Sequence, residues 1–174
     1  AYSIHLKVDA DGETRGGGRW RFATAGIRSP LGRFRRTTWS MSAGNMVYGL
    51  FRVASLKRAG VFRRSLLPDR LLLAEISLQG EFRQALEVLW YRRHEGNFSL
   101  ARQRRSLFGA RRPWWAMVPW WLGHPAALGW NLAVHGKGRP AVSRLTGIRA
   151  ACEYSVLLPA LHFVRGVRRT QKRH

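Results

Sequence analysis

The sequence predicts an α/β chain: a mixed sheet with flanking helices over residues 1–108, followed over 109–174 by a helical extension rich in Trp and Arg. Three observations carry this. Tyr2 to Val8 alternates with period two, as a half-buried strand does; Pro68 to Gly80 holds apolar residues at helical spacing behind a proline; Phe82 to Tyr91 is β-prone and runs into a short polar segment. At 174 residues the chain can bury one good core, and a second large domain is not expected.

Taken in order, the strand Tyr2–Val8 is followed by Asp9-Ala10-Asp11-Gly12, which reads as a turn, with Glu13 to Phe22 returning as a second strand of a hairpin. Asp9 and Asp11 also have the spacing of a two-carboxylate metal site, but a tip that needs Asp and Gly for backbone reasons is the preferred reading. Ala23 to Ser42 is basic and interrupted by Pro30 and Gly32; it reads as a surface loop or basic flap with one short helix near Leu31–Arg36. Met46 to Arg52 reads as a short buried strand in which Gly49 permits close backbone approach. Val53 to Gly60 is a short helix stopped by Gly60.

The next helix starts at Pro68 or Asp69. Proline suits a first turn, and Asp69 offsets the positive end of the helix and can accept from a free N–H. Leu71, Leu72, Leu73, Ile76 and Leu78 form a broad apolar band, so packing aims the helix start. Glu75 reads as a helix-face partner for an arginine. Beyond the strand Phe82–Tyr91 come a basic helix, Leu100–Phe108, then helices around Ala126–His135 and Val142–Arg165 and a basic tail.

The chain has 31 Lys+Arg against nine Asp+Glu, a formal charge of +22, which draws it to polyanions: nucleic acid, acidic headgroups or phosphorylated substrates. Arginines interleave with Trp and Phe, as in Arg111-Arg112-Pro113-Trp114-Trp115, a pattern suited to a bilayer interface and equally to capping a core; the sequence leaves both open. Its single cysteine, Cys152, excludes an intramolecular disulfide and points to a reducing compartment. No apolar run is long enough to span a bilayer.

Two clusters remain to be explained: Asp69 at its helix start, and Tyr91-Arg92-Arg93-His94-Glu95-Gly96-Asn97-Phe98-Ser99 at the strand exit. The stretch Tyr48-Gly49-Leu50-Phe51-Arg52 … Ala59-Gly60-Val61-Phe62 … Pro68-Asp69-Arg70-Leu71-Leu72-Leu73-Ala74-Glu75 … Gly80-Glu81-Phe82 … Tyr91-Arg92-Arg93-His94 … Ser99 resembles the second half of bacterial family 2 glycosyltransferases, over roughly residues 1 to 108. The resemblance implies a partial GT-A-like fold and inverting transfer of a sugar from a nucleotide-diphosphate donor to a hydroxyl on a glycan or lipid-linked acceptor. It makes Asp69 the general base, although Pro68 stands where the family usually carries another acid. It sets Arg92, Arg93 and His94 near the donor diphosphate or metal, adds Arg70 and Ser99 as substrate-binding positions, and makes His94 a candidate ligand of Mn2+ or Mg2+.

It also implies a donor-binding half elsewhere. The one Asp-x-Asp, Asp9-Ala10-Asp11, is read as a turn rather than as the family's donor-side metal motif, and the chain opens on Ala1 directly in a strand, so it reads as an acceptor-side fragment that is inactive alone. The implied setting is bacterial cell-envelope polysaccharide synthesis, in the cytoplasm and at the inner face of the membrane. The rival is a non-enzymatic basic protein for nucleic acid or an anionic membrane. No RNP, KH, zinc-finger or P-loop pattern sharpens the nucleic-acid version, which is the weaker. His5, His124, His135 and His162 have no ligand spacing.

Overall fold

The computed structural model describes residues 1–9, 11–14, 21–40, 46–93, 99–109, 113–133 and 142–171, with backbone only at 158 and 161–171. It is a mixed α/β arrangement of six α-helices and, among the described residues, a two-stranded sheet. Strand β1 (Tyr2–Val8) pairs in parallel with β2 (Gln84–Arg93), from Tyr2 opposite Gln84 to Val8 opposite Arg93. Parallel strands need a long crossover, and here it holds α1 (Pro30–Ser40), α2 (Val53–Ala59) and α3 (Pro68–Gln79). After β2 come α4 (Leu100–Phe108), α5 (Trp120–Ala133) and α6 (Arg144–Gln171).

The Asp9 turn forms as expected: Asp9 Oδ1 accepts from the N–H of Asp11 at 3.1 Å and of Glu13 at 2.9 Å. Of the expected hairpin the described residues show one antiparallel bridge, between Val8 and Thr14; residues 15–20 lie outside the described ones. Further on, the segment is bound to the entry of β2. Thr24 N–H donates to Phe82 O at 3.0 Å, Thr24 Oγ1 accepts from Phe82 N–H at 2.8 Å, and Phe22 N–H reaches Gln84 Oε1 at 3.1 Å. Phe22 is buried, and its carbonyl also accepts the Tyr2 hydroxyl. A hydrophobic anchor and four hydrogen bonds thus hold Phe22 and Thr24 to the sheet.

The helix expected near Leu31–Arg36 is longer than that: α1 buries Arg33, Phe34, Thr37 and Thr38 and packs along α3, so this part is no flap, while residues 23–29 are irregular and mostly exposed. The Arg33 guanidinium explains how a basic stretch enters the core. Its Nε donates to Ser77 O at 3.0 Å and its Nη2 to Leu78 O at 3.1 Å, while Nη1 takes Ile27 O at 3.0 Å and Arg28 O at 2.8 Å. Ser77 and Leu78 lie in the last turn of α3, where carbonyls lack helical partners and the dipole favours a cation.

Met46–Arg52 is not a strand. Met46–Tyr48 forms one 3-10 turn with only Met46 buried, and Tyr48 and Leu50 face solvent. Gly49 does meet backbone closely: a Cβ there would overlap Ala1 O and stand 2.8 Å from Tyr2 Cβ. Helix α2 ends as the sequence indicated. Gly60 is left-handed at φ 79, its N–H bonds Lys57 O at 3.3 Å, and Val61 N–H bonds Leu56 O at 3.1 Å.

Helix α3 is the hub. Every residue from Leu71 to Leu78 is buried, Glu75 and Ser77 included. One face joins Tyr2, Phe22, Met46, Ala59 and Phe82 through Leu72, Leu73 and Ile76. The other joins Phe34, Leu128, Val142, Ala150 and Tyr154 through Leu71, Ala74 and Leu78, so helices after residue 109 share a core with those before it. Burying each such leucine is worth about 1.5–3 kcal/mol relative to exposure. Arg35 clips α1 to α6 with a two-pronged bond to Glu153, at 2.6 and 2.8 Å.

Candidate functional site

The start of α3 is fixed in place by the packing of the eight residues that follow, and this sets what Asp69 can do. Leu67, just before the helix, adopts a left-handed conformation (φ 49, ψ 51) that non-glycine residues rarely take. Its N–H is held by Gln103 Oε1 of α4 at 3.1 Å, and its carbonyl accepts from Arg70 N–H at 3.0 Å. Pro68 occupies the first turn as the sequence indicated. Leu67 holds the cap position with a side chain that cannot accept a bond, and no hydrogen bond to the Asp69 carboxylate is found among the described residues. Asp69 is instead half-buried in the first turn, in a cluster drawn from three helices.

Tyr154 of α6 is fully buried, and burial pushes its hydroxyl well above the ordinary range; Arg70 pulls the other way, and the charges of Glu75 and Asp69 add to the rise. Arg70 stacks its guanidinium over the Trp120 ring, 5.3 Å from the centroid. Glu75, 1% exposed, takes Arg63 Nη2 at 2.8 Å and Asn131 Nδ2 at 3.1 Å on the same oxygen, Oε1. Burial pushes Glu75 up to about 7 against the pull of Arg63 and Asn131. Its Oε2 is buried with no hydrogen-bond partner among the described residues.

His124 completes the group. It is 1% exposed, and Nε2 lies 2.7 Å from Leu66 O, a carbonyl that can only accept, so this nitrogen carries the proton. Burial lowers its pKa to about 4, which keeps the ring neutral at pH 7 and leaves Nδ1 a bare acceptor. No partner for Nδ1 is found among the described residues.

The strand-exit residues stand on other elements. Arg92 and Arg93 are exposed at the end of β2, opposite Lys7 and Val8 of β1. Buried His5 is lowered by burial and then by the charges of Arg92 and Lys7; its ring stacks on Trp90 at 4.9 Å. Asp69 thus lies within electrostatic reach of Tyr154 on α6, whereas Arg92 stands beside β1. Ser99 acts locally as the N-cap of α4, its Oγ accepting from Arg102 N–H at 3.4 Å. The expected diphosphate and metal role of His94 falls at a position outside the described residues.

Asp9 and Asp11 form a turn, as preferred. Among the described residues no three His, Cys, Asp or Glu side chains come together, so a Mn2+ or Mg2+ ion would need ligands from outside them. No helix among the described residues is long and apolar enough to cross a membrane.

Reasoning from sequence reached Glu75 as an arginine partner but missed Arg63, His124, Asn131 and Tyr154. The signal for Asn131 and Tyr154 was a polar residue on the apolar side of a helix, which can be recognised only once helix packing is known. His124 has no ligand spacing in the sequence, and in the fold it packs on Trp120 and hydrogen-bonds Leu66 O. Comparison with known proteins adds no constraint: no family model, curated protein or solved structure matches the chain.

Proposed function

We propose that this chain is the acceptor-side portion of an inverting glycosyltransferase of GT-A architecture, similar to family 2, with Asp69 as general base. The observation that carries this reading is the contrast between the two acids of α3. Glu75 is sealed and neutralised by Arg63, whereas Asp69 is partly open to solvent on a helix start that cannot shift without disturbing eight buried neighbours. A base needs both access to a hydroxyl and a fixed position.

In the proposed step the acceptor oxygen attacks the anomeric carbon as its proton passes to the Asp69 carboxylate. The bond to the diphosphate breaks on the opposite face, the nucleotide diphosphate leaves with the electron pair, and the configuration inverts. Arg70, Arg92, Arg93, His94 and Ser99 are the positions proposed to face substrate or diphosphate, with guanidinium forks suited to that charge. A Mn2+ or Mg2+ ion and the donor site belong to a donor-binding half. The proposed setting is the cytoplasmic face of a bacterial membrane, with a glycan or lipid-linked acceptor.

The test is Asp69→Asn in an enzyme carrying the donor half. Transfer should fall by about 10²–10⁴-fold with little change in donor affinity. Transfer at the wild-type rate sinks the assignment. A second reading, a non-enzymatic basic protein on an anionic membrane, is favoured by Trp114, which is 81% exposed in a chain of charge +22. Full transfer by an enzyme that no longer binds vesicles would count against it.

A further inference from the structure

Beside the start of α3 lies a cavity of about 410 Å3, which the proposed transfer chemistry does not use. That volume is within the roughly 300–1,000 Å3 of small-molecule sites. Its walls are aromatic: Phe108, Trp114, Trp115 and Trp120 line it. Phe108 meets Trp115 edge to face at 5.1 Å, and Trp120 meets His124 in the same way at 5.4 Å. His124 also lines the cavity and is the buried imidazole whose Nδ1 has no partner among the described residues. Leu66, whose carbonyl holds that ring, is both a lining residue and a near neighbour of Asp69.

One wall carries charge. Arg64 is exposed, its Nε is fixed on Leu107 O at 2.9 Å, and its guanidinium lies 5.6 Å from the Phe108 centroid. No carboxylate pairs with it among the described residues. Arg63, also at the cavity, is already engaged by Glu75 and by Ala127 O at 3.1 Å. Lining residues Trp114, Trp115 and Leu122 are also exposed, so the apolar surface continues from the cavity to solvent.

We propose that this cavity binds the hydrocarbon chain of an anionic amphiphile, with Arg64 holding its phosphate-type head. Tryptophan and phenylalanine walls suit a hydrocarbon chain, which brings no polar group of its own to be buried there. The Arg64 guanidinium at the rim selects an anionic head over a neutral one. Taking this amphiphile as the acceptor rests on the transfer reading; its binding does not.

The test is calorimetric titration of the full chain with decyl phosphate below its critical micelle concentration, with no sugar donor present. Inorganic phosphate and decyl maltoside are run beside it. Gly123→Leu is the blocking variant: Gly123 lines the cavity, a Cβ there meets nothing within 4 Å, and leucine suits a helix better than glycine, so the fold survives. Decyl phosphate should bind one to one, about tenfold more weakly in Gly123→Leu and about fivefold more weakly in Arg64→Gln. Unchanged affinity in Gly123→Leu, or no binding by the wild type, overturns the site. Equal binding of inorganic phosphate would reduce it to an anion contact, and equal binding of decyl maltoside would remove the selectivity for charge; either overturns the proposal as stated. Since no donor is present, failure of the transfer reading does not affect these outcomes.

Discussion

Arg63 Nη2 sits 2.8 Å from Glu75 Oε1, tying the segment that leads into α3 to the buried face of that helix. The same guanidinium donates to Ala59 O at 3.2 Å and to Ala127 O at 3.1 Å, so one side chain joins α2, α3 and α5. Removing it strands a buried carboxylate. Arg63→Met should cost about 3–5 kcal/mol in urea unfolding, while removing both charges in Arg63→Met/Glu75→Leu should recover much of that loss. A double variant as unstable as the single one would show that the carbonyl contacts, rather than the ion pair, hold the three helices.

The two buried titratable groups of this region pull stability in opposite directions with pH. His124 has a folded pKa of about 4 against an ordinary 6.5, so its contribution is complete above pH 6.5 and is lost as pH falls toward 4. Glu75 has a folded pKa of about 7 against an ordinary 4.5, so its contribution is complete below pH 4.5 and is lost as pH rises toward 7. Each amounts to about 3 kcal/mol, and between pH 4.5 and 6.5 the slopes offset each other. Glu75→Gln should therefore expose a stability that falls on acidification through this window, and His124→Gln one that falls as pH rises. Denaturant midpoints at half-unit pH steps would show it, and parallel curves for both variants would contradict it.

Val61 is a β-branched residue held at φ 56 just after the α2 cap, with its side chain about half exposed. The left-handed conformation costs such a residue on the order of 1 kcal/mol or more, and asparagine tolerates it better. Val61→Asn should raise Tm by about 2–4 °C for a chain of this size. A lower Tm would mean that the exposed valine makes contacts worth more than the strain.

What could be read from the sequence follows from which forces act locally. Helix α4 has its expected bounds and α3 starts at Pro68, one of its two expected starts, because Ser99 and Pro68 are local start signals that do not depend on distant partners. Gly60 stopped α2 for the same reason. Helix α1 was underread because Arg33 occupies a core position, where its burial depends on carbonyls at Ser77 and Leu78 that only the folded chain supplies. At the far end of the expected Glu13–Phe22 return strand, Phe22 is a core anchor outside any strand, because residue type reports burial and says nothing of the partner. Around the candidate site Asp69 stood out as an acid in a basic chain; the neighbours that define its setting, Tyr154 and His124, come from helices far along the sequence.

The parallel pairing of Tyr2 with Gln84 has a consequence for how the molecule assembles. The chain between the two strands is long enough to hold three helices, so their pairing closes a large loop, whereas α5 and α6 are neighbours in sequence and pack extensively on each other. Loop-closure entropy penalises the distant contact first and rewards it last. The helical pair should thus be formed early in folding and the strand ladder late, which φ-values near zero at Ile4 and Val88, and clearly higher ones at Leu128 and Ala150, would register.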